Sequence, residues 1–163
     1  MIKAVTFDLD GTLIQLPIDY KRLFQEFQKI MKTDKINPIA KTVSKTDNGS
    51  RAQLFKVWDN AELAASKKMT TNEEGMTVYR KNLEKPKALV TMQGRKLVAT
   101  IVEQLELSFD VVITREDSLN REKQLKKAAE KLDVKIQNIL FVGNTEDDAL
   151  AAERAGCQFS KVK

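Results

Sequence analysis

The sequence predicts an α/β fold: a parallel sheet flanked by helices, with a helical cap inserted after the first strand. Three observations carry this expectation. From Lys87 onward, short apolar runs alternate with stretches of helical periodicity, the pattern of strands joined by crossover helices. Residues 18–84 read instead as about four amphipathic helices. The first apolar run, Ala4-Val5-Thr6-Phe7, lies on the far side of that helical stretch, so the sheet is assembled from two separated pieces of chain.

The elements follow in order. After the opening strand, Tyr20, Leu23, Phe24, Phe27, Ile30 and Met31 recur at helical spacing. Asn37-Pro38 reads as an N-cap followed by proline at the first helical position. Residues 45–49 read as a loop, and Ser50-Arg51-Ala52-Gln53 as a capping box, with Leu54, Trp58, Ala61 and Ala65 along one face. Thr71-Asn72-Glu73-Glu74 is a second capping-box pattern and leads into Met76, Tyr79 and Leu83. The strand Ala88-Leu89-Val90-Thr91 comes next, then a helix marked by Leu97, Val98, Ile101, Val102 and Leu105. Asp110-Val111-Val112-Ile113 is the following strand, and Arg121, Leu125, Ala128, Ala129 and Leu132 mark the next helix. Ile139-Leu140-Phe141-Val142 is a strand, a helix runs through Ala155, and residues 159–162 suit a last edge strand. The expected division is a core of residues 1–16 and 85–163 with a cap of residues 17–84. Right-handed crossovers place a site at the carboxyl ends of the strands. An insert leaving the first strand can fold over that end as a lid.

Composition narrows the chemistry. The chain has 163 residues, 42% hydrophobic and 31% charged, enough for one core plus an insert. No apolar run approaches the ~20 residues of a membrane span, and no signal-peptide pattern opens the chain, so no membrane partner is expected. A single cysteine, Cys157, leaves no internal disulfide and suits a cytoplasmic protein; its apolar context suggests an inert core thiol. There is no histidine, which excludes Ser–His and Cys–His catalysis and imidazole zinc sites. The whole net charge of +5 lies in residues 15–86, with 14 basic against 9 acidic side chains. Such a segment can attract anionic substrates or nucleic acid. Aromatics are few and Gly-rich binding loops absent, so nucleic acid is not expected and most of these lysines read as solvated helix surface. The sequence carries no signal for an oligomeric state.

The chemistry gathers at strand ends. Phe7-Asp8-Leu9-Asp10-Gly11-Thr12-Leu13 puts two carboxylates two residues apart beside one crevice. Asp-Gly alone is an ordinary turn; the full string is far more specific. Thr91-Met92-Gln93-Gly94 offers a hydroxyl and loop amides to a phosphate, although threonine equally suits a strand. Val142-Gly143-Asn144-Thr145-Glu146-Asp147-Asp148 is both a capping-box start and an acidic loop able to hold a metal.

Across nearly the whole chain these motifs resemble the haloacid dehalogenase-like hydrolase superfamily, in its phosphoglycolate phosphatase-like branch with a helical cap. The resemblance implies a Rossmann-like core and a Mg²⁺-dependent phosphatase acting on a small phosphorylated metabolite. It implies that Asp8 is the nucleophile, forming an aspartyl-phosphate, and that Asp10 is general acid and then base. Asp8, Asp10 through its backbone carbonyl, Asn144 and Asp148 are the implied metal ligands. Thr91 and Met92 are the implied phosphate-binding loop. Two departures stand out. The family's third-motif lysine, in a Lys-Pro context, is missing; Arg121 shares the inward face of Leu125 and Ala128 and is expected as the phosphate-facing cation, with Lys123 second. The fourth motif has Gly143-Asn144 where Gly-Asp is usual, so metal affinity should fall unless Asp148 or Asp147 moves in. The superfamily's dehalogenase branch tolerates non-acidic residues there but lacks the second aspartate of the first motif, and Asp10 is present. One alternative is a weakened or non-catalytic member that binds a phosphorylated ligand or a protein partner; another is a sugar phosphomutase.

Overall fold

The structure, a computed structural model, describes residues 1–163. The first part of the chain forms β1 (Ala4–Phe7), β2 (Ile14–Gln15), α1 (Tyr20–Met31), α2 (Ile39–Ser44), α3 (Asn48–Ser66), β3 (Thr70–Thr71) and α4 (Glu73–Lys81). The second part forms β4 (Lys87–Val90), α5 (Arg95–Gln104), β5 (Val111–Ile113), α6 (Arg121–Leu132), β6 (Ile139–Gly143), α7 (Glu146–Ala155) and β7 (Gln158–Lys161), with a 3₁₀ turn at Ile136–Asn138 before β6.

Five strands make one sheet in the order β5-β4-β1-β6-β7, all neighbours parallel. The fold is thus the expected α/β arrangement, with the helical insert between β1 and β4. Every residue of β1 and β4 is buried, as both faces of a parallel sheet require. The strand period of two then divides the core. Val5, Phe7 and Leu89 face α5 and the insert, in one cluster with Leu23, Phe27, Trp58 and Leu97. Ala88, Val90 and Phe141 face the other way and pack on Leu125, Ala128 and Ala152 of α6 and α7. Phe7 is in register with Leu89 and Val142. Asp8, Thr91 and Asn144 therefore emerge at the same edge of the sheet.

Local chemistry moves several helix starts. The helix α3 begins at Asn48, not after a Ser50 capping box, because the Asp47 carboxylate accepts from Ser50 N at 2.8 Å. The expected 45–49 loop thus ends two residues early. At α4 the cap is Asn72, whose side chain accepts from Glu74 N. Thr71 cannot start that helix because its backbone pairs with Ile14 in a two-residue antiparallel ladder. Pro38 occupies the cap position of α2 rather than its first turn, and the helix starts at Ile39. Leu83 lies beyond α4 and is exposed. The insert also presses on the loop after β1. A Cβ at Gly75 of α4 would stand 1.7 Å from the Thr12 carbonyl oxygen, so only glycine allows this approach.

Candidate active site

The site grows from the end of β1. Asp8 N donates to Val142 O at 3.0 Å, extending the ladder one residue past the strand. The chain then turns sharply: the amides of Thr12, Leu13 and Ile14 all donate to Leu9 O, and Gly11 takes φ +82°. A Cβ at Gly11 would also lie 2.2 Å from Asn144 Nδ2. Both the backbone angle and the close packing thus demand glycine there.

This turn fixes two carboxylates differently. Asp8 is buried, with Oδ1 accepting from Arg121 Nη2 at 2.9 Å and Oδ2 from Thr12 Oγ1 at 3.3 Å. Burial raises its carboxyl to about 7, against the pull of the Arg121 guanidinium and with a smaller push from Asp148. Asp10 is half-buried and tethered, its Oδ1 accepting from Leu16 N at 2.9 Å. Burial raises this carboxyl as well.

The opposite wall comes from α6 and the start of α7. Thr145 and Asp148 close the capping box, and Asp148 Oδ2 accepts from the amides of Asn144 and Thr145, both at 3.2 Å. Its other oxygen lies 3.3 Å from Arg121 Nε. One guanidinium therefore spans Asp8 and Asp148. Arg121 is itself held by Gln124, which accepts at 3.0 Å and donates to Thr91 O and Ser118 O, each at 2.8 Å. Asn120 caps α6 and so sets Arg121 at the helix's first position.

A cleft of about 390 Å³ opens here, lined by Asp8, Asp10, Met92, Arg121, Asn144 and Asp148, and also by Gln15, Leu16 and Gln93. Thr91 is fully buried; its hydroxyl donates to Gln93 Oε1 and accepts from Gln93 N, and it does not line the cleft. Lys123 is exposed on α6 and lies outside the cleft, and Asp147 is exposed as well. The sequence reading missed Gln124, Glu62 and Arg115, and took Gln93 only for its loop amide, whereas its side chain lines the cleft. Gln124 alone had a local signal, standing one helical turn after Arg121.

Which cation could this site hold? Asp8, Asp10, Asn144 and Asp148 line the cleft and would offer only oxygen to a cation, a chemistry that fits Mg²⁺. No three acidic, cysteine or histidine side chains converge enough to hold a metal by themselves, and Arg121 already shares the two carboxylates. The set is suitable in kind and low in charge.

Comparison with known proteins agrees with this fold. The family described as haloacid dehalogenase-like hydrolase matches residues 5–162. A phosphoglycolate phosphatase of Neisseria meningitidis is 27% identical over 184 residues, covering 96% of this chain and 78% of that protein. A HAD-superfamily hydrolase of subfamily IA, variant 1, from Geobacter sulfurreducens superposes with a TM-score of 0.67 at 21% identity, covering 99% of this chain and 89% of the other. CbbY from Rhodobacter sphaeroides, solved in complex with phosphate, superposes with a TM-score of 0.69 at 17% identity, covering 100% and 88%.

Proposed function

The chain belongs to the haloacid dehalogenase-like hydrolases, and on that premise we propose that it is a Mg²⁺-dependent phosphatase of a small phosphorylated metabolite. The observation that carries this reading is the Asp8 carboxylate, buried at the end of the central strand, held by Arg121 and sharing a cleft with Asp10. In this reading an Asp8 oxygen attacks phosphorus and the bond to the leaving oxygen breaks. Asp10 gives that oxygen its proton. Asp10 then takes a proton from water, and the water oxygen attacks phosphorus and releases phosphate from Asp8. Arg121 offsets negative charge as the phosphoryl group approaches Asp8. Mg²⁺, held by Asp8, the Asp10 carbonyl, Asn144 and Asp148, would supply further charge neutralisation. Met92 and Gln93 would line the phosphoryl pocket. The Neisseria relative makes phosphoglycolate the first substrate to assay.

Asp8→Asn should lower hydrolysis of p-nitrophenyl phosphate by about 10³-fold or more, since it removes the nucleophile itself. Wild-type turnover in that variant would end the assignment. A second reading is favoured by Asn144 and by the engagement of both carboxylates with Arg121: a weakened member that holds a phosphorylated ligand without turnover. Calorimetric titration separates the two, because this second reading expects phosphate binding with neither Mg²⁺ uptake at millimolar concentration nor hydrolysis.

A further inference from the structure

A second polar cluster lies behind the cleft, at the contact between the insert and the core. Arg115 follows β5 and is 1% exposed, and Glu62 of α3 is 0% exposed. Their side chains pair at 2.9 Å between Nη1 and Oε2, and Arg115 Nη2 pairs with Asp59, three residues before Glu62 on α3. The guanidinium lies 4.1 Å from the centre of the Trp58 ring. Burying such a pair costs desolvation that the attraction need not repay. Its stability value alone therefore does not account for it.

What the cluster grips is informative. Glu62 Oε1, the oxygen not facing Arg115, accepts from Gly94 N at 3.0 Å. Arg115 Nη1 also donates to Met92 O at 3.2 Å. A Cβ at Gly94 would stand 2.2 Å from Asp59 Oδ1 and 2.7 Å from Arg115 Nη2, so the loop backbone rests directly on the ion pair. The loop's first and third residues, Met92 and Gly94, are thereby pinned, and the side chains of Met92 and of Gln93 between the pins line the cleft with Asp8. Thr91 at the loop's base is held separately, by Gln93 and Gln124.

We propose that Glu62 and Arg115 are positioning residues that hold the 92–94 loop, from the insert side, in the shape that receives the phosphoryl group. The proposal rests on the phosphatase reading for what the loop receives, but not for what holds the loop. Neither residue touches the reacting atoms, so their loss should weaken phosphate binding more than turnover.

The test uses Glu62→Ala, Glu62→Gln and Leu54→Ala. Leu54 is fully buried on the same helix and has no part in the cluster. In Glu62→Ala the KM for p-nitrophenyl phosphate and the inhibition constant of inorganic phosphate should each rise about tenfold, with kcat within about threefold. Amide hydrogen exchange at residues 92–94, followed by NMR, should accelerate. Glu62→Gln keeps an acceptor for Gly94 N and should restore KM and exchange to within about threefold of wild type. Leu54→Ala should lower the melting temperature and leave KM unchanged. Wild-type KM and exchange in Glu62→Ala, or an equal rise of KM in Leu54→Ala, would overturn the proposal. If Glu62→Ala does not fold, Arg115→Lys replaces it with the same expectations, because an ammonium cannot span Met92 O and both carboxylates. If the wild type neither hydrolyses nor binds phosphate, the phosphatase reading fails. The exchange measurement still decides the clamp: faster exchange at 92–94 upholds it, and unchanged exchange overturns it.

Discussion

Arg121 is one side chain meeting two carboxylates, and its planar fork is what permits that; an ammonium is a single point charge on a flexible stem. Arg121→Ala should therefore cut kcat/KM by about 100-fold, and Arg121→Lys should recover only part of it, read from steady-state kinetics on an aryl phosphate. Asn144→Asp adds a charged oxygen donor, so the dissociation constant for Mg²⁺, measured calorimetrically without substrate, should tighten by about tenfold. How far were these residues legible beforehand? Arg121 was, because its spacing from Leu125 and Ala128 turns it inward, and it lies 2.9 Å from Asp8. Lys123, two residues on, is turned by the same spacing to solvent. Glu62 was not legible. An acid in a mixed helix reads as solvated, and its reason for burial is Arg115, 53 residues away in sequence. Thr91 shows the converse, since its hydroxyl is taken by a side chain two residues on, which no strand pattern reveals.

The elements were read best where burial is complete. The strands β1, β4 and β6 are apolar runs enclosed on both faces, so their sequences carry the signal with little noise. Helix starts fared worse, because neighbouring acceptors compete for the same amides: Asp47 captures Ser50 N, and Asn72 displaces Thr71. The β2–β3 ladder is two residues long on each side, too short to show any alternation. At this scale two outcomes follow. Asp47→Ala removes the cap of α3 and should cost about 1 kcal/mol in urea unfolding. Gly75→Ala drives a methyl into the Thr12 carbonyl, and neither helix backbone nor turn backbone can yield cheaply. It should cost about 3 kcal/mol or more in the same measurement.

The whole molecule shares one large hydrophobic cluster between sheet and insert, reaching from Val5 and Leu89 to Phe27 and Trp58. Calorimetry should accordingly record a single transition, not separate melting of the insert. Its pH dependence carries the mark of Glu62. Burial raises that carboxyl from its ordinary 4.5 to about 7, against the opposing pull of Arg115. A carboxyl that holds its proton more tightly when folded contributes stability below pH 4.5 and loses it as the pH rises through about 7. The stability of wild type minus Glu62→Gln should thus fall across that window, by about 3 kcal/mol, and level off above it. The sheet order has a consequence in time. The central strand β1 hydrogen-bonds to β4 and β6 on its two sides, and both are synthesised after the whole insert. At about 5–20 residues per second, β1 waits on the order of ten seconds at the ribosome for its second neighbour. Until β4 emerges it is an apolar ribbon without a partner, and until β6 emerges one of its edges stays open, so chaperone demand should be set by β1 and fully relieved only when Ile139–Gly143 has emerged.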